Sequence, residues 1–380
     1  MNWAKVVALA FSLFITQSLT AQTTVRPNHM KAKSDRDQEK LRGPVKSFTT
    51  EHAFPIRTDA QGNAIPEVHF TSTTEFDLQG HNVLSRNSNS DGSTWINRHT
   101  YDESGRLLKD ESGTEGQALT VTSYAYDAQG RLQSVNGSSS PVSFHYDEHG
   151  RKTEIKTLRP EDYRGNVASG LGPFDSLQAL PNIPGGGTST TIYDDQDRPA
   201  EVQLRNDSGD VVRRAVRNYD DRGNVIQEEQ IQDRSEAMFP PEVLQQTGEQ
   251  SGRSLDDMRK ELREQLTKLM GGNSMYRLSY RYDDLGRLTH TSRRIFNMQS
   301  EIETTYNDHG DVESEITRDS ASTSGSLESP TVHPPGYSES RYSYQYDSFG
   351  NWTEQSISYR NRPDEPFQGA STTKRTLTYY

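Results

Sequence analysis

The chain has no cysteine. Disulfides therefore cannot brace the fold, thiolate metal sites and thiol nucleophiles are excluded, and so is a lipoprotein anchored through an N-terminal cysteine. Tryptophan is scarce, with three in 380 residues, and only 30% of the chain is hydrophobic. Leu, Ile, Val and Phe together make up under about a fifth of it, too little for a globule buried on all sides. Beyond the first twenty or so residues no apolar run is long enough to span a membrane as a helix. HExxH, GxSxG and P-loop patterns are missing. The net charge of −12 opposes a phosphate backbone and argues against nucleic-acid binding. It is nevertheless small for a chain of this length, which argues against disorder.

What is present begins with Lys5 and an apolar run from Val6 to Leu19, broken by Ser12 and by Thr16 to Ser18. This has the build of a signal peptide, expected over residues 1–21 with cleavage after Ala21, although Leu19 departs from the small-x-small rule. A polar linker is expected over residues 22–39 and a single repeat domain over 40–380.

The domain is defined by segments that begin Tyr-Asp or Tyr-Asn and reach Gly or Asp four residues after the Tyr. They are YDESGRL from Tyr101, YDAQGRL from Tyr126, YDEHGRK from Tyr146, YDDQDRP from Tyr193, YDDRGNV from Tyr219, YDDLGRL from Tyr282, YNDHGDV from Tyr306 and YDSFGNW from Tyr346. FDLQGHN from Phe76 is a weaker copy. The basic period of about 20–26 residues suits one β-hairpin per repeat. Within a copy, Asp102, Asp127, Asp147, Asp194, Asp220, Asp283, Asn307 and Asp347 are placed to cap a type I turn. Gly105, Gly130, Gly150, Gly223, Gly286, Gly310 and Gly350 supply the positive φ that lets the second strand leave with a bulge. Asp197 takes that place in the Tyr193 copy, and Pro199 follows, so this hairpin is expected to be frayed or on an edge. Six residues after each Tyr an apolar residue usually recurs, as at Leu107, Leu132 and Val225, and should lie beside its own Tyr across the hairpin. Tyr residues of successive hairpins are expected to stack as a ladder.

Residues 158–187, 235–272 and 319–337 interrupt the period. The first is rich in Pro and Gly and reads as a loop; the third is rich in Ser and Pro and reads as a mobile loop. The second contains an amphipathic helix over residues 254–270. Ser254 and Asp257 make an acidic capping box, Leu255, Met258, Leu262, Leu266 and Leu269 form one face, and Gly271 and Gly272 close the C-terminus. Such a helix either covers the sheet or docks a protein partner. Lys40 to Ala53 reads as an opening strand and Arg375 to Tyr380 as a closing one. About eighteen strands exceed what an open twisted sheet holds without coiling. The expected fold is all-β, with antiparallel hairpins in a curled or spiral sheet and one inserted helix.

The pattern Y-D-x-x-G-R-L resembles the YD repeat of the RHS family, over roughly residues 70 to 380. The resemblance implies hairpins wound into a spiral shell, which in large members encloses a toxic C-terminal domain and in an adhesion receptor forms a barrel. It also implies contact with carbohydrate and cell surfaces. The DPxG core of that family is missing here and the repeats are few, so a short, stand-alone exported member without a toxin is expected.

Catalytic, cofactor and metal residues are not indicated. The ten histidines are scattered, and the closest pair, His145 and His149, straddles a turn. Asn87 to Gly92 begins like a calcium loop, but Arg98 stands where the bidentate Glu should be. The expected function is non-enzymatic binding of a glycan or another envelope component, with Trp95, Tyr163 and Tyr359, judged to lie off the repeat register, as sugar-stacking candidates. The alternative is a scaffold or accessory partner of a larger RHS-type toxin or surface protein. The location is periplasmic or extracellular, with no membrane span once the signal peptide is removed.

Overall fold

A computed structural model describes residues 34–54, 57–58, 64–65, 68–88, 91–137, 142–157, 188–205, 209–232, 254, 257, 260, 264, 274–295, 298–326 and 329–380. The signal peptide, the insertion 158–187 and most of the expected helix lie outside these residues. A helical turn α1 (Asp35–Gln38) precedes the strands. The first nine strands are β1 (Val45–Phe54), β2 (Arg57–Thr58), β3 (Ala64–Ile65), β4 (Val68–Phe76), β5 (Asn82–Ser88), β6 (Thr94–Tyr101), β7 (Leu107–Thr114), β8 (Thr120–Tyr126) and β9 (Leu132–Asn136). Then come β10 (Val142–Tyr146), β11 (Lys152–Thr157), β12 (Thr188–Tyr193), β13 (Pro199–Arg205), β14 (Val211–Tyr219), β15 (Val225–Gln232), β16 (Ser274–Tyr282) and β17 (Leu288–Ile295). The last seven are β18 (Met298–Tyr306), β19 (Val312–Asp319), β20 (Ser322–Ser326), β21 (Ser329–His333), β22 (Gly336–Tyr346), β23 (Trp352–Arg360) and β24 (Gln368–Tyr379).

Twenty strands form one antiparallel sheet, and β2–β3 and β20–β21 are separate two-stranded pairs. Each strand of the large sheet pairs with its neighbours in chain order, and β1 pairs with β24 on one side and β4 on the other. The ladder therefore closes on itself, where a curled or spiral sheet was expected. Closure has a direct physical reason. A spiral leaves two free edges of unpaired N–H and C=O groups, whereas the β1–β24 pairing, from Val45 with Tyr379 to Ala53 with Thr372, satisfies both.

Three further expectations are corrected. Pro199 is buried and opens β13, which is paired on both sides, so the Tyr193 hairpin is neither frayed nor on an edge. The first position of a strand is a place where the missing N–H costs little. Residues 319–337 contain the β20–β21 hairpin rather than a loop alone. The polar linker contains α1, capped by the Ser34 hydroxyl, which accepts from the Asp37 N–H at 3.2 Å. Helix is minor among the described residues. Asp257, Lys260 and Glu264 are helical and exposed, and the Ser254 hydroxyl accepts from the Asp257 N–H at 3.1 Å.

The chain divides into two compact units. In the unit of Ser139–Glu303 with Thr317–Gly336, Val202, Leu204, Val212 and Ala215 form one apolar cluster. Val225, Leu278 and Tyr280 form another, flanked by Tyr219, Tyr276, Tyr282 and Leu288. Inside this unit Arg217 and Glu228 sit opposite each other on β14 and β15, almost fully buried, with Nε donating to the carboxylate at 2.7 Å. Tyr280 donates to the other carboxylate oxygen at 3.3 Å. In the unit of His29–Ser138, Thr304–Ile316 and Tyr337–Tyr380, the core is Leu41, Val45, Phe48 and Phe76, with Leu377 and Tyr379 against it.

Breaking a buried pair strands a charge. Arg217→Met is expected to cost about 3–5 kcal/mol in urea unfolding. Combining it with Glu228→Leu should recover most of that loss, because neither charge then remains.

Candidate functional site

At each repeat the chain makes the same turn. In the Tyr101 copy the Gly105 N–H donates to the Asp102 carbonyl and the Asp102 N–H to the Arg106 carbonyl, both at 2.9 Å. The Asp102 Oδ1 accepts from the N–H groups of Ser104 and Arg106, each at 2.9 Å, and its Oδ2 accepts from Arg106 Nε at 2.7 Å. The same three bonds recur at Asp127, Asp147, Asp194 and Asp283. Asn224 replaces the arginine beside Asp220. Gly105 has φ +78°, and a Cβ there would lie 2.8 Å from the His81 ring, so both backbone and space require glycine. Asp197 occupies that position with φ +59°. Tyr101 pairs with Leu107 across the bulge, as do Tyr126 with Leu132, Tyr146 with Lys152, Tyr219 with Val225 and Tyr346 with Trp352.

Among the described residues, tyrosines of the repeat reach back to the hairpin before them. The hydroxyl of Tyr126 donates to the Leu107 carbonyl, Tyr193 to Lys152 and Tyr219 to Pro199, each at 2.8 Å, and Tyr282 to Val225 at 2.7 Å. The guanidinium of the preceding turn lies over the ring: Arg106 over Tyr126, Arg151 over Tyr193 and Arg198 over Tyr219, at 5.1, 5.0 and 4.5 Å. His81 serves in the Phe76 copy. Its Nδ1 donates to Asp77 at 2.8 Å and its ring stacks on Tyr101 at 4.7 Å. Sequence reasoning gave the arginine no role, although its recurrence directly after the turn glycine was the available signal. In the last copies the tie shifts by one strand position. Tyr344 donates to the Val312 carbonyl, while Tyr346 bonds the turn side chains of Asn307 and Asp311 and stacks on His309 at 3.9 Å.

The N-terminal segment joins this system. Asp35 accepts from the Asn82 N–H at 2.8 Å and from the Tyr101 hydroxyl at 3.3 Å. The buried Asn351 side chain accepts from the Arg42 N–H at 2.7 Å and donates to the Arg42 carbonyl at 2.8 Å. Arg42 also donates to the His309 carbonyl at 3.0 Å, and its guanidinium lies against Gly350 as Arg106 lies against Gly130.

Donated bonds from the Arg106 N–H and guanidinium hold the Asp102 carboxyl below the usual range. At Asp127, Asp147, Asp194 and Asp283 desolvation pushes upward and is outweighed by the bonds from the following arginine. Desolvation, joined by nearby carboxylates, raises the phenols of Tyr101, Tyr124 and Tyr282 well above their ordinary value.

Two clusters place histidine, carboxylate and hydroxyl together. His99 Nδ1 meets Asp110 Oδ1 at 2.5 Å, and the Tyr124 hydroxyl donates to Asp110 Oδ2 at 2.6 Å. Glu301 accepts from His290 at 2.8 Å and from the Ser292 hydroxyl at 2.8 Å. In both, the carboxylate lies between the imidazole and the hydroxyl, whereas nucleophilic catalysis needs imidazole directly on the hydroxyl. Among the described residues no group of three or more His, Asp or Glu is placed to hold a metal ion. Asp91, in the calcium-like stretch, accepts from the N–H and hydroxyl of Ser93 at 2.8 and 2.6 Å.

Of the stacking candidates, Tyr163 lies outside the described residues. Strand alternation puts Trp95 on the face of Tyr101, and Tyr359, opposite Ser340, on the face of Tyr342, Tyr344 and Tyr346. Both therefore lie in the repeat register rather than off it. They are not brought together. Five strand spacings and about six residues separate them, roughly 30 Å over the sheet.

In comparison with known proteins, residues 126–159 match the family model RHS Repeat. No curated protein matches the chain. A porin-like protein from Bacteroides uniformis is similar at 10% identity and a TM-score of 0.32, over 89% of this chain and 99% of its own. The structure of TcdB2-TccC3-TEV is similar at 12% identity and a TM-score of 0.31, over 83% of this chain and 16% of that one.

The geometry sets two expectations. Tyr219→Phe loses one hydrogen bond and should cost about 1 kcal/mol in thermal unfolding. The turn aspartates have folded pKa values below their unfolded ones, so their contribution is complete above about pH 4 and is lost as pH falls through the lowered folded values. Melting temperature should hold steady from these groups between pH 5 and 8 and drop below about pH 4. Asp102→Asn, the residue found at Asn307, should keep the turn and weaken that acid dependence.

Proposed function

We propose that this RHS-repeat protein is an exported, non-enzymatic binding protein of the cell envelope, whose antiparallel sheet serves as a frame for ligand contact. The observation that carries this reading is how the repeat uses its reactive side chains. The aspartates, arginines and tyrosines that dominate the motif are engaged in holding hairpin to hairpin. The two histidine clusters have their carboxylates placed for positioning, not for activating a hydroxyl. Export rests on Lys5 and the apolar run that follows it.

The frame is suited to water on the face turned away from the tyrosines. In β14 to β18 that face carries Arg214, Arg277, Arg281, Glu301 and Glu303, where a lipid-facing strand would carry an apolar band. Among the described residues no helix is long and apolar enough to cross a membrane.

The test is a pull-down of the exported protein on isolated cell-wall and outer-membrane fractions, beside a glycoside and peptide hydrolysis panel. Saturable retention without turnover is the expected result. Retention through a recovered protein partner would assign the scaffold role and direct attention to helix 254–270. Turnover abolished by one point substitution would overturn the non-enzymatic reading.

A further inference from the structure

Arg375 lacks the counter-ion in contact that other sheltered arginines of the chain possess. Arg217 is matched by Glu228 and Arg360 by Glu339. Arg375 stands on β24 with its guanidinium 3.7 Å from the centre of the Trp352 ring and 4.7 Å from that of Phe48. Its Nε is buried and has no hydrogen-bond partner. Glu39 and Asp311 act on it at a distance, and neither forms an ion pair with it among the described residues. Ring contacts engage the flat faces of a guanidinium, whereas its N–H donors lie in the plane. A cation is thus sheltered here with its fork of donors unspent. The residue as a whole is only part-buried, which leaves the outer edge of the fork open.

A second donor stands beside it. Alternation sets Phe48, Thr50 and His52 on one face of β1, and strand pairing puts Arg375 opposite Thr50 and Thr373 opposite His52. Arg375 and His52 are therefore diagonal neighbours, about 7 Å apart across the pair. His52 Nδ1 and the Thr373 hydroxyl lie 3.1 Å apart. Burial first, and Arg375 second, lower the His52 pKa, so the ring is neutral at pH 7. With Nδ1 accepting from Thr373, the imidazole proton sits on Nε2 as a donor. Charge then chooses the acceptor. A planar fork suits a carboxylate or a phosphate. Glu39 and Asp311 already make the surroundings more negative, which disfavours a doubly charged phosphate.

We propose that the seam of β1 and β24 binds a small monocarboxylate, with its oxygens on the Arg375 guanidinium and one of them also accepting from His52 Nε2. The ligand's partners stand on both strands of the closing pair, so occupancy stabilises that pair. The site is independent of the envelope-binding reading and goes beyond it.

The protein from Gln22 onward carrying Trp95→Phe keeps Trp352 as its one tryptophan, beside the guanidinium. It is titrated with acetate and with butyrate at constant ionic strength, and in parallel with inorganic phosphate, followed by fluorescence and thermal unfolding. A saturable change with at least one carboxylate, and a melting temperature that rises with its concentration, are expected. Arg375→Lys keeps the charge but loses the fork and should weaken binding at least about fivefold. His52→Gln, at a part-exposed residue, should weaken it about threefold and carries the test if the arginine variant does not fold. The bound carboxylate should also raise the lowered His52 pKa, read from its imidazole proton shifts by NMR, a change that a purely structural Arg375 does not produce. No saturable signal with either carboxylate, tighter binding of phosphate than of both, or unchanged affinity in the folded variants overturns the site.

Discussion

At the turns of Asp102, Asp127, Asp147, Asp194 and Asp283 the carboxylate takes two backbone N–H groups and a guanidinium, and the guanidinium of Arg106, Arg151 and Arg198 lies over the tyrosine of the next hairpin. Two-stranded hairpins are marginal alone in water. Here the hairpins of Asp102, Asp147 and Asp194 fix the arginine that receives the next ring, and the hydroxyls of Tyr126, Tyr193, Tyr219 and Tyr282 bond the carbonyl just past the previous turn. Order is passed along the sheet by charge-assisted and cation–π contacts at the turns. That allows the strands between them to be rich in Ser, Thr and charge without loss of register, and it accounts for a folded chain with so few aliphatic residues.

The chain of ties needs an end, and the seam between β24, β1 and β4 provides it. The final strand offers tyrosines to earlier turns. Tyr379 bonds Asp347 and Asn351, and Tyr380 bonds the Phe76 carbonyl. The N-terminal segment fills the remaining places. Asn351 grips the Arg42 backbone through both its N–H and C=O as a neighbouring strand would, and Arg42 takes an arginine's position against Gly350. Arg375 is held between the rings of Phe48 and Trp352 at the same seam, where burial lowers its pKa to about 10 and leaves it cationic at neutral pH.

The aspartates, arginines and tyrosines of the motif are engaged in the ties between hairpins, whereas the exposed Trp95 lies outside the motif. It stands near the end of its strand away from the repeat turn, among amides and an oriented imidazole.

The YD spacing by itself determined the hairpins, the turn aspartates and the positive-φ glycines, because those depend on contacts within seven residues. Even the helix start at Ser254 and Asp257 was legible, since a capping box is local. Closure was not legible. It depends on β1 meeting β24 more than 300 residues away, and both strands read as ordinary alternating sequence. The arginine's part was missed because its partner is a ring one repeat on, set by hairpin spacing rather than by neighbours in the chain. Pro199 was misjudged because its cost depends on where the strand begins. The register of Trp95 was misread although even spacing from Tyr101 was available to count. What it stands beside, Asn87 across one strand pair with His99 and Asp110 further along, was decided by the tertiary structure, because strand pairing rather than sequence distance sets which side chains share a surface.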